Sequence, residues 1–436
     1  DTYYDGTPVN APYNSMVVEE VLMMEALDIP CGVYWVDRPW AKDPFGYADF
    51  EWDRERLPNP EKMIQWLHQH NQKFLLWIAP WVLGDMAQTA KEKGYNLPLM
   101  QGVESDRVLI DFTNPDAREW WKENGPGKMM RMGVDGFKLD RAEEIVPYSR
   151  DVKAFDGRTA REFRNDYPVE YLKATYEAAK EVHGDDFILL PRAAYTGSSK
   201  YGVFWGGDIA SPPEGLRCAI IALQRSAIMG YPFWGSDIGG YSGGVDREIT
   251  SRWLGFGCFC PIMEVGPTQD RGLWNLEDEP SYDPELLATW RLYARLHNRL
   301  KDYTYQYAKK AHNTGMPVAR PLFMEYPDQE KAYEDWQTFL YGPDILISAI
   351  WQKGKTTHTC YLPEGDRWVD AWNKDQEYKG GQTVTIETLV HKIPIFIRKG
   401  SDVEIGDLNQ LYRESLKKKK KEPDIKELEK KAEFIQ

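Results

Sequence analysis

Val134-Asp135-Gly136-Phe137-Lys138-Leu139-Asp140-Arg141-Ala142-Glu143-Glu144 is the stretch that decides the fold. A short apolar run, Gly136 to Leu139, is interrupted only by Lys138 and ends on Asp140, which Arg141, Glu143 and Glu144 follow. That is a buried strand handing a carboxylate to a cluster of charge. Burying a charge is costly unless it is paired, so an acid in this place is expected to be used. Asp140 is therefore the candidate nucleophile at the mouth of a barrel, and the rest of the chain must supply a partner acid and the walls of a pocket.

Outward from this strand the pattern repeats. A helix is predicted from Asn14 or Ser15 to Leu27, then a strand over Gly32 to Val36 that ends at Asp37. Pro60 to His70 reads as a helix and Phe74 to Ala79 as a strand stopped by Pro80. Ala117 to Met132 is helical before Gly136–Leu139, and Val169 to Val182 before a strand over Phe187 to Leu190 that runs into Pro191-Arg192. Val203 to Gly207 ends at Asp208, Leu216 to Met229 is helical, and Pro232 to Ser236 ends at Asp237. A last apolar run, Trp253 to Met263, ends at Glu264 and would bring Cys258 and Cys260 to the same side of one strand.

Alternating strands and helices predict a parallel sheet. Seven strands before residue 265 exceed an open sheet of five or six, so the fold class is α/β, a (β/α)8 TIM barrel. Its first strand is the missing one, expected before Asp1 or at Tyr3-Tyr4, with an N-terminal portion cut away. Pro284 to Leu300 reads as a long helix that closes the barrel. From about Arg320, short β-like runs separated by Pro343-Asp344, Gly354, Gly365-Asp366 and Gly380-Gly381 predict a small all-β sandwich. The expected division is barrel 1–318, sandwich 319–402 and a charged helical or disordered tail 403–436. The Lys417–Lys421 run in that tail is read as a solvated helix or a frayed end.

Composition bounds the partners. Acids outnumber bases 68 to 54 in 436 residues, a net charge of −14, which argues against nucleic acid and anionic membrane as main partners. No apolar run approaches the roughly 20 residues of a membrane span, and no signal peptide is visible, so the compartment is not legible. Five cysteines without CxxC spacing indicate neither a disulfide framework nor a zinc site. Seventeen Trp, 25 Tyr and 16 Phe serve large cores first, and flat rings also stack on sugars.

In such barrels the carboxyl ends of the strands build the site. Here those ends carry Asp37, Asp140, Arg192, Asp208, Asp237 and Glu264, and all but Arg192 are carboxylates. None of the seven histidines falls among them, which removes a Ser-His-Asp triad and a His-rich metal site. No P-loop or G-x-G-x-x-G is present, so no nucleotide and no other cofactor is expected. Many carboxylates without histidine suit glycoside hydrolysis, in which one carboxylate attacks and a second, protonated, acid donates to the leaving oxygen. The rival is a divalent cation held by the same oxygens, but such sites commonly recruit histidine, so no metal is expected. Phe204-Trp205-Gly206-Gly207-Asp208 and Phe233-Trp234-Gly235-Ser236-Asp237-Ile238-Gly239-Gly240-Tyr241 each set an indole and glycines beside an acid, at successive strand ends.

These motifs, with Asp111 to Trp120 (D-F-T-N-P-D-A-R-E-W) and Phe50 to Asp53 (F-E-W-D), resemble glycoside hydrolase family 31 over about Asn14 to Ser401. That resemblance implies a retaining exo-acting α-glycosidase of the α-glucosidase and α-xylosidase kind, working by double displacement on a carbohydrate substrate. It implies Asp140 as nucleophile with Glu143 supporting it, and Asp208 as general acid/base. Asp237 would contact or support the sugar, Arg192 would bond it near the reacting centre, and Asp37 would hold hydroxyls on the far side of the ring. Lys138 matches the F-K-x-D form of the xylosidase-like branch. Trp35, Trp77, Trp205 and Trp234 would be pocket walls.

Two departures stand out. Arg141 beside the nucleophile is unlike the plain glucosidases. On the last strand, Met263-Glu264-Val265-Gly266-Pro267 stands where the family typically has an Arg-x-His segment. Two donors are lost and an acceptor or a space is gained, so an α-galactosidase or an α-N-acetylgalactosaminidase is the alternative within the family. A lyase outcome from the same intermediate, and a catalytically inactive carbohydrate-binding or scaffold protein on the same fold, are the remaining readings.

Overall fold

The computed structural model describes residues 13–97, 106–143, 152–211, 213–266 and 283–418. The strand expected at Tyr3-Tyr4, Glu144, Pro267 and Lys419 to Lys421 lie outside the described residues. Two compact units divide the chain: one takes residues up to Met23 and Cys31–Val203, the other Met24–Pro30 and Phe204 onward to Glu422.

The first unit is built on a parallel sheet whose strands, in spatial order, are Val33–Val36, Lys73–Ile78, Gly136–Leu139 and Ile188–Pro191. Spatial order equals chain order, and helices fill the connections, as right-handed crossovers require. Register is direct: Leu75, Leu76, Trp77 and Ile78 lie opposite Gly136, Phe137, Lys138 and Leu139, and Leu139 lies opposite Pro191. The last two pairings end in step, at Ile78, Leu139 and Pro191, and the first ends two residues earlier, with Val36 opposite Leu76. Asp37 therefore leaves the sheet level with Trp77 and Lys138, at the same edge where Asp140 and Arg192 follow.

The helices begin where the chemistry says they should. Pro60 supplies a pre-set φ at the start of Pro60–Gln69, and its buried Met63, Ile64 and Leu67 face the sheet. Asn114 caps Pro115–Asn124, its side chain accepting from the Asp116 amide at 3.0 Å. The single helix expected over Ala117–Met132 is instead two, Pro115–Asn124 and Pro126–Arg131. Pro126 has no N–H to continue the ladder, so the chain restarts.

Asp135 locks the other edge of the sheet. Its buried carboxylate accepts from the Phe74 amide at 2.9 Å and the Lys73 ammonium at 3.0 Å, and meets His68 Nε2 at 2.7 Å.

In the second unit Phe204–Trp205 pairs in parallel with Trp234–Gly235, and Asp237–Ile238 with Glu264–Val265. The run Trp253–Met263, expected as a strand, is a correction. Arg247–Gly257 is a helix, started by Asp246, which accepts from the Ile249 amide at 3.0 Å. Only Glu264–Val265 is extended. Trp253, Leu254 and Phe256 are all fully buried, so no polar face marks the helical period. Cys258 and Cys260 are buried beyond the helix end rather than paired on a strand face.

Pro284–Arg299 is continued by an unexpected helix, Lys301–Thr314. The all-β part then forms a six-stranded sheet from Ala319–Pro321 to Ile395–Arg398 and a two-stranded partner of Thr357–Leu362 with Gln382–Glu387. Trp368, Leu340, Leu346 and Phe396 centre its core. The tail begins as a helix, Leu408–Lys417, that docks through one side: the buried Arg291 donates to the Ser415 carbonyl at 2.6 Å and His391 stacks on Tyr412, while Lys417 and Lys418 are exposed. Among the described residues no helix is long and apolar enough to cross a membrane.

Candidate active site

In the first unit, Asp140 follows the last residue of its strand and is 6% exposed. Arg192, one strand over, brings Nη1 to 2.5 Å from Asp140 Oδ1 while its Nη2 donates to Glu143. One guanidinium thus bridges the expected nucleophile and its expected support, the forked geometry that arginine and not lysine provides. Asp140 Oδ1 also accepts from the Arg141 amide at 2.8 Å. Arg141 and Ala142 then take φ of 65° and 78°, left-handed values for residues that carry a Cβ. Strain of this kind costs about 1–3 kcal/mol per residue and persists where surrounding bonds hold it.

Asp37 and Lys138 complete the group. Lys138 is buried and its ammonium sits 3.9 Å from the centre of the Trp35 ring. A desolvated cation over an indole contributes about 2 kcal/mol. Burial pushes the Asp37 carboxyl up from 3.8 to about 7; the Arg38 amide, 2.6 Å from Oδ1, and the charge of Lys138 pull it down, and Asp140 pushes it up. A carboxyl that titrates near neutrality can donate to or accept from a hydroxyl.

Trp77 is buried, with Tyr47 edge-on at 4.8 Å and the Arg38 guanidinium 5.9 Å from its ring centre. Its carbonyl takes the indole N–H of Trp40 at 2.8 Å. Tyr47 and Trp40 were not anticipated from sequence, because they sit in a loop between helix and strand with no periodicity to place them.

The second unit holds the other expected residues. Gly207 has φ 72°, a conformation that favours glycine, and turns the chain so that Asp208 is exposed at the tip of a tight turn closed by the Ile209 amide on the Gly207 carbonyl at 2.8 Å. That turn is tied to the next motif: the Tyr241 amide donates to the Ile209 carbonyl and the Ser211 amide to the Ser242 carbonyl, both at 2.7 Å. Trp205 and Trp234 are buried. Ser236 is fixed from behind by the Trp253 indole N–H at 2.9 Å.

Asp237 and Glu264 are register partners on adjacent parallel strands, 0% and 7% exposed. A Cβ at Gly266 would fall 2.5 Å from Asp237 Cβ and 2.8 Å from its Oδ1. The space expected beside Gly266 is therefore filled, by Asp237 itself. What the departure from Arg-x-His leaves is an acceptor, Glu264, and a close fit around Asp237.

The structure thus brings together Asp37, Lys138, Asp140, Arg141, Glu143 and Arg192 in one unit, with Trp35 and Trp77, and Trp205, Asp208, Trp234, Asp237 and Glu264 in the other. Among the described residues no group of three or more His, Cys, Asp and Glu side chains could hold a metal ion.

Comparison with known proteins agrees over nearly the whole chain. The model of the glycosyl hydrolases family 31 TIM-barrel domain matches residues 9–307, and that of the family 31 C-terminal domain residues 315–402. An α-glucosidase 2 of Bacillus thermoamyloliquefaciens is 30% identical over 404 residues, 88% of this chain and 50% of its own length. An isomaltosyltransferase of Sporosarcina globispora is 28% identical over 84% of this chain and 36% of its own. The solved structure of a family 31 α-xylosidase from a soil metagenome, complexed with xylose, superposes with a TM-score of 0.82 at 28% identity, covering 92% of this chain and 62% of that one. The chain spans about half the length, or less, of these two curated relatives.

Proposed function

Because the chain belongs to glycoside hydrolase family 31, with its TIM barrel and C-terminal β domain, we propose that it is a retaining exo-acting α-glycosidase that removes a terminal α-linked sugar by double displacement. The domain division we propose is barrel 1–318, β-sandwich 319–402 and tail 403–436. The observation that carries the reading is the strand-end group in the first unit: Asp140 with Arg192 at 2.5 Å, and Arg192 in turn on Glu143.

In this mechanism Asp140 attacks the anomeric carbon while Asp208 donates a proton to the leaving oxygen. The ester formed on Asp140 is then hydrolysed by water that Asp208 deprotonates, so the released sugar keeps its α configuration. The Arg192 guanidinium, 2.5 Å from Asp140 Oδ1, orients that carboxyl group for attack. Asp208 stands exposed on its turn, where a leaving group and then a water can reach it. Asp37 and Lys138 would take hydroxyls of the bound ring, with Trp35, Trp77, Trp205 and Trp234 as walls and Asp237 and Glu264 as further acceptors. Carbohydrate is the substrate class of the family.

Glu264 supports a second reading, an α-galactosidase or α-N-acetylgalactosaminidase, since an acceptor in place of the family's donors favours a different hydroxyl pattern. Gly266 adds no room for an acetamido group, because Asp237 occupies that place.

The test is a panel of p-nitrophenyl α-glycosides of glucose, xylose, galactose, N-acetylgalactosamine and sulfoquinovose, with the first-formed anomer followed by proton NMR. We expect release of the α anomer from one of them, and loss of turnover in Asp140→Asn. A β product, an unsaturated product or an active Asp140→Asn protein would overturn the proposal.

A further inference from the structure

The β domain of the second unit holds a cavity of about 180 Å³, lined by Asp370, Trp372, Asn373, Thr388, Lys392 and Phe396 with their neighbours. At about 30 Å³ per water it has room for roughly six waters, the scale of one sugar ring and not of a chain. Its floor is apolar: Pro394 and Phe396 are buried and Ile386, across the floor, is half-buried.

Trp372 makes the wall, and it is held like a fixed platform. Its indole N–H donates to the Ile393 carbonyl at 2.7 Å, its amide to Asp370 Oδ1 at 2.8 Å, and its carbonyl accepts from Asn409 Nδ2 at 2.6 Å. Trp368, four residues earlier, is fully buried as a core indole should be, whereas Trp372 is half-buried against the cavity. The rim is polar on several sides: Asn373 and Glu387 are exposed, and the Lys392 ammonium lies 5.0 Å from the Trp372 ring centre.

A pre-oriented indole over an apolar floor, ringed by an amide, a carboxylate and an ammonium, matches a pyranose, which offers an apolar C–H face and an equatorial belt of hydroxyls. Charged ligands fit less well. One cation faces two carboxylates, and Asp370 already accepts the Trp372 amide. We infer that this cavity is a second sugar site, for one neutral pyranose unit of a glycan, and that it shares no residue with the proposed catalytic set. The inference rests on the reading of the chain as a glycan-acting protein.

The test uses the full chain labelled with 5-fluorotryptophan, in an Asp140→Asn background to stop turnover, titrated with methyl α-glucoside, methyl α-xyloside and methyl α-galactoside. The fluorine resonance missing in Trp372→Phe identifies that indole. It should shift with at least one of the three sugars, at a dissociation constant on the order of millimolar. Asn373→Ala with Glu387→Gln, both on the surface, should weaken that binding by about tenfold. The same pair, with Asp140 intact, should leave aryl α-glycoside turnover unchanged. A Trp372 resonance indifferent to all three sugars, or a shift that the surface pair does not weaken, would overturn the inference. Failure of the catalytic reading is seen separately, in hydrolysis and in the resonances of Trp35, Trp77, Trp205 and Trp234.

Discussion

Gly266→Ala tests how the last strand governs the site. Gly266 has no left-handed φ to lose, so the whole effect of the substitution is the added methyl. That methyl would stand 2.5 Å from Asp237 Cβ, 2.7 Å from Cγ and 2.8 Å from Oδ1, where ordinary contact begins at 3.4 Å. Asp237 must therefore retreat by about 1 Å in a fully buried place, an overpacking that costs about 1–3 kcal/mol. At about 2–4 °C per kcal/mol for a unit of this size, Tm falls by roughly 2–12 °C. If Asp237 touches the sugar, a 1 Å misplacement also lowers kcat/KM by about a hundredfold. Thermal unfolding and steady-state hydrolysis of the accepted aryl glycoside give the two readouts. A variant unchanged in both would refute the close fit. One that loses stability but keeps kcat/KM would leave the fit standing and remove Asp237 from the sugar contacts.

Asp37 sets a pH dependence of stability. Its folded value near 7 lies above the ordinary 3.8, so no penalty exists below about pH 4, stability falls as pH rises through the interval, and the loss is complete above about 7. Urea midpoints between pH 4.5 and 8 should show this fall, Asp37→Asn should flatten it, and Lys138→Met, which removes a charge that holds the value down, should extend it above pH 7. Arg192→Lys cannot bridge Asp140 and Glu143 with one ammonium, and kcat/KM should fall by about a hundredfold with Tm nearly unchanged; equal activity would show the bridge to be dispensable. Ending the chain at Gly406 removes the Ser415 carbonyl that the buried Arg291 uses at 2.6 Å, and should destabilise the protein by about 1–3 kcal/mol; an unchanged urea midpoint would return the tail to a solvated helix.

How much of this could be read beforehand follows from where periodicity carries information. The parallel strands of the first unit, three of them running into a charge and the fourth into Pro80, were legible almost to the residue. Helix Arg247–Gly257 was not, because every residue from Ile249 to Gly257 is buried, the polar Thr250, Ser251 and Arg252 included, and the apolar stretch from Trp253 onward carries no alternation that distinguishes a helix from a strand. The break at Pro126 was visible in principle as a proline inside a helical pattern. Asp37 was found as an acid at a strand end, but its shifted titration comes from burial that only the packed sheet creates. Gly266 was noticed as a missing side chain. That Asp237 fills its place depends on the register of two strands, which no local motif encodes.

Asp135 and Asp140 bracket one strand and show why burial alone cannot mark a functional acid. They are 4% and 6% exposed, and both are paired. Asp135 is held by the Phe74 amide, Lys73 and His68, groups of the neighbouring strand and helix, and Lys73 also pairs with Asp186 at 2.9 Å. Asp140 is held by Arg192 and by the amide of Arg141, where the backbone turns left-handed for two residues. In parallel barrels the amino-terminal edge serves stability and the carboxyl-terminal edge serves chemistry. Asp135→Asn should therefore cost about 1–3 kcal/mol in urea unfolding, from the donors it leaves unmatched, while kcat stays within the same order. Asp140→Asn should do the reverse, abolishing turnover with little loss of stability. If the two variants exchanged these signatures, the strand would be read from the wrong end, and the nucleophile would have to be sought elsewhere.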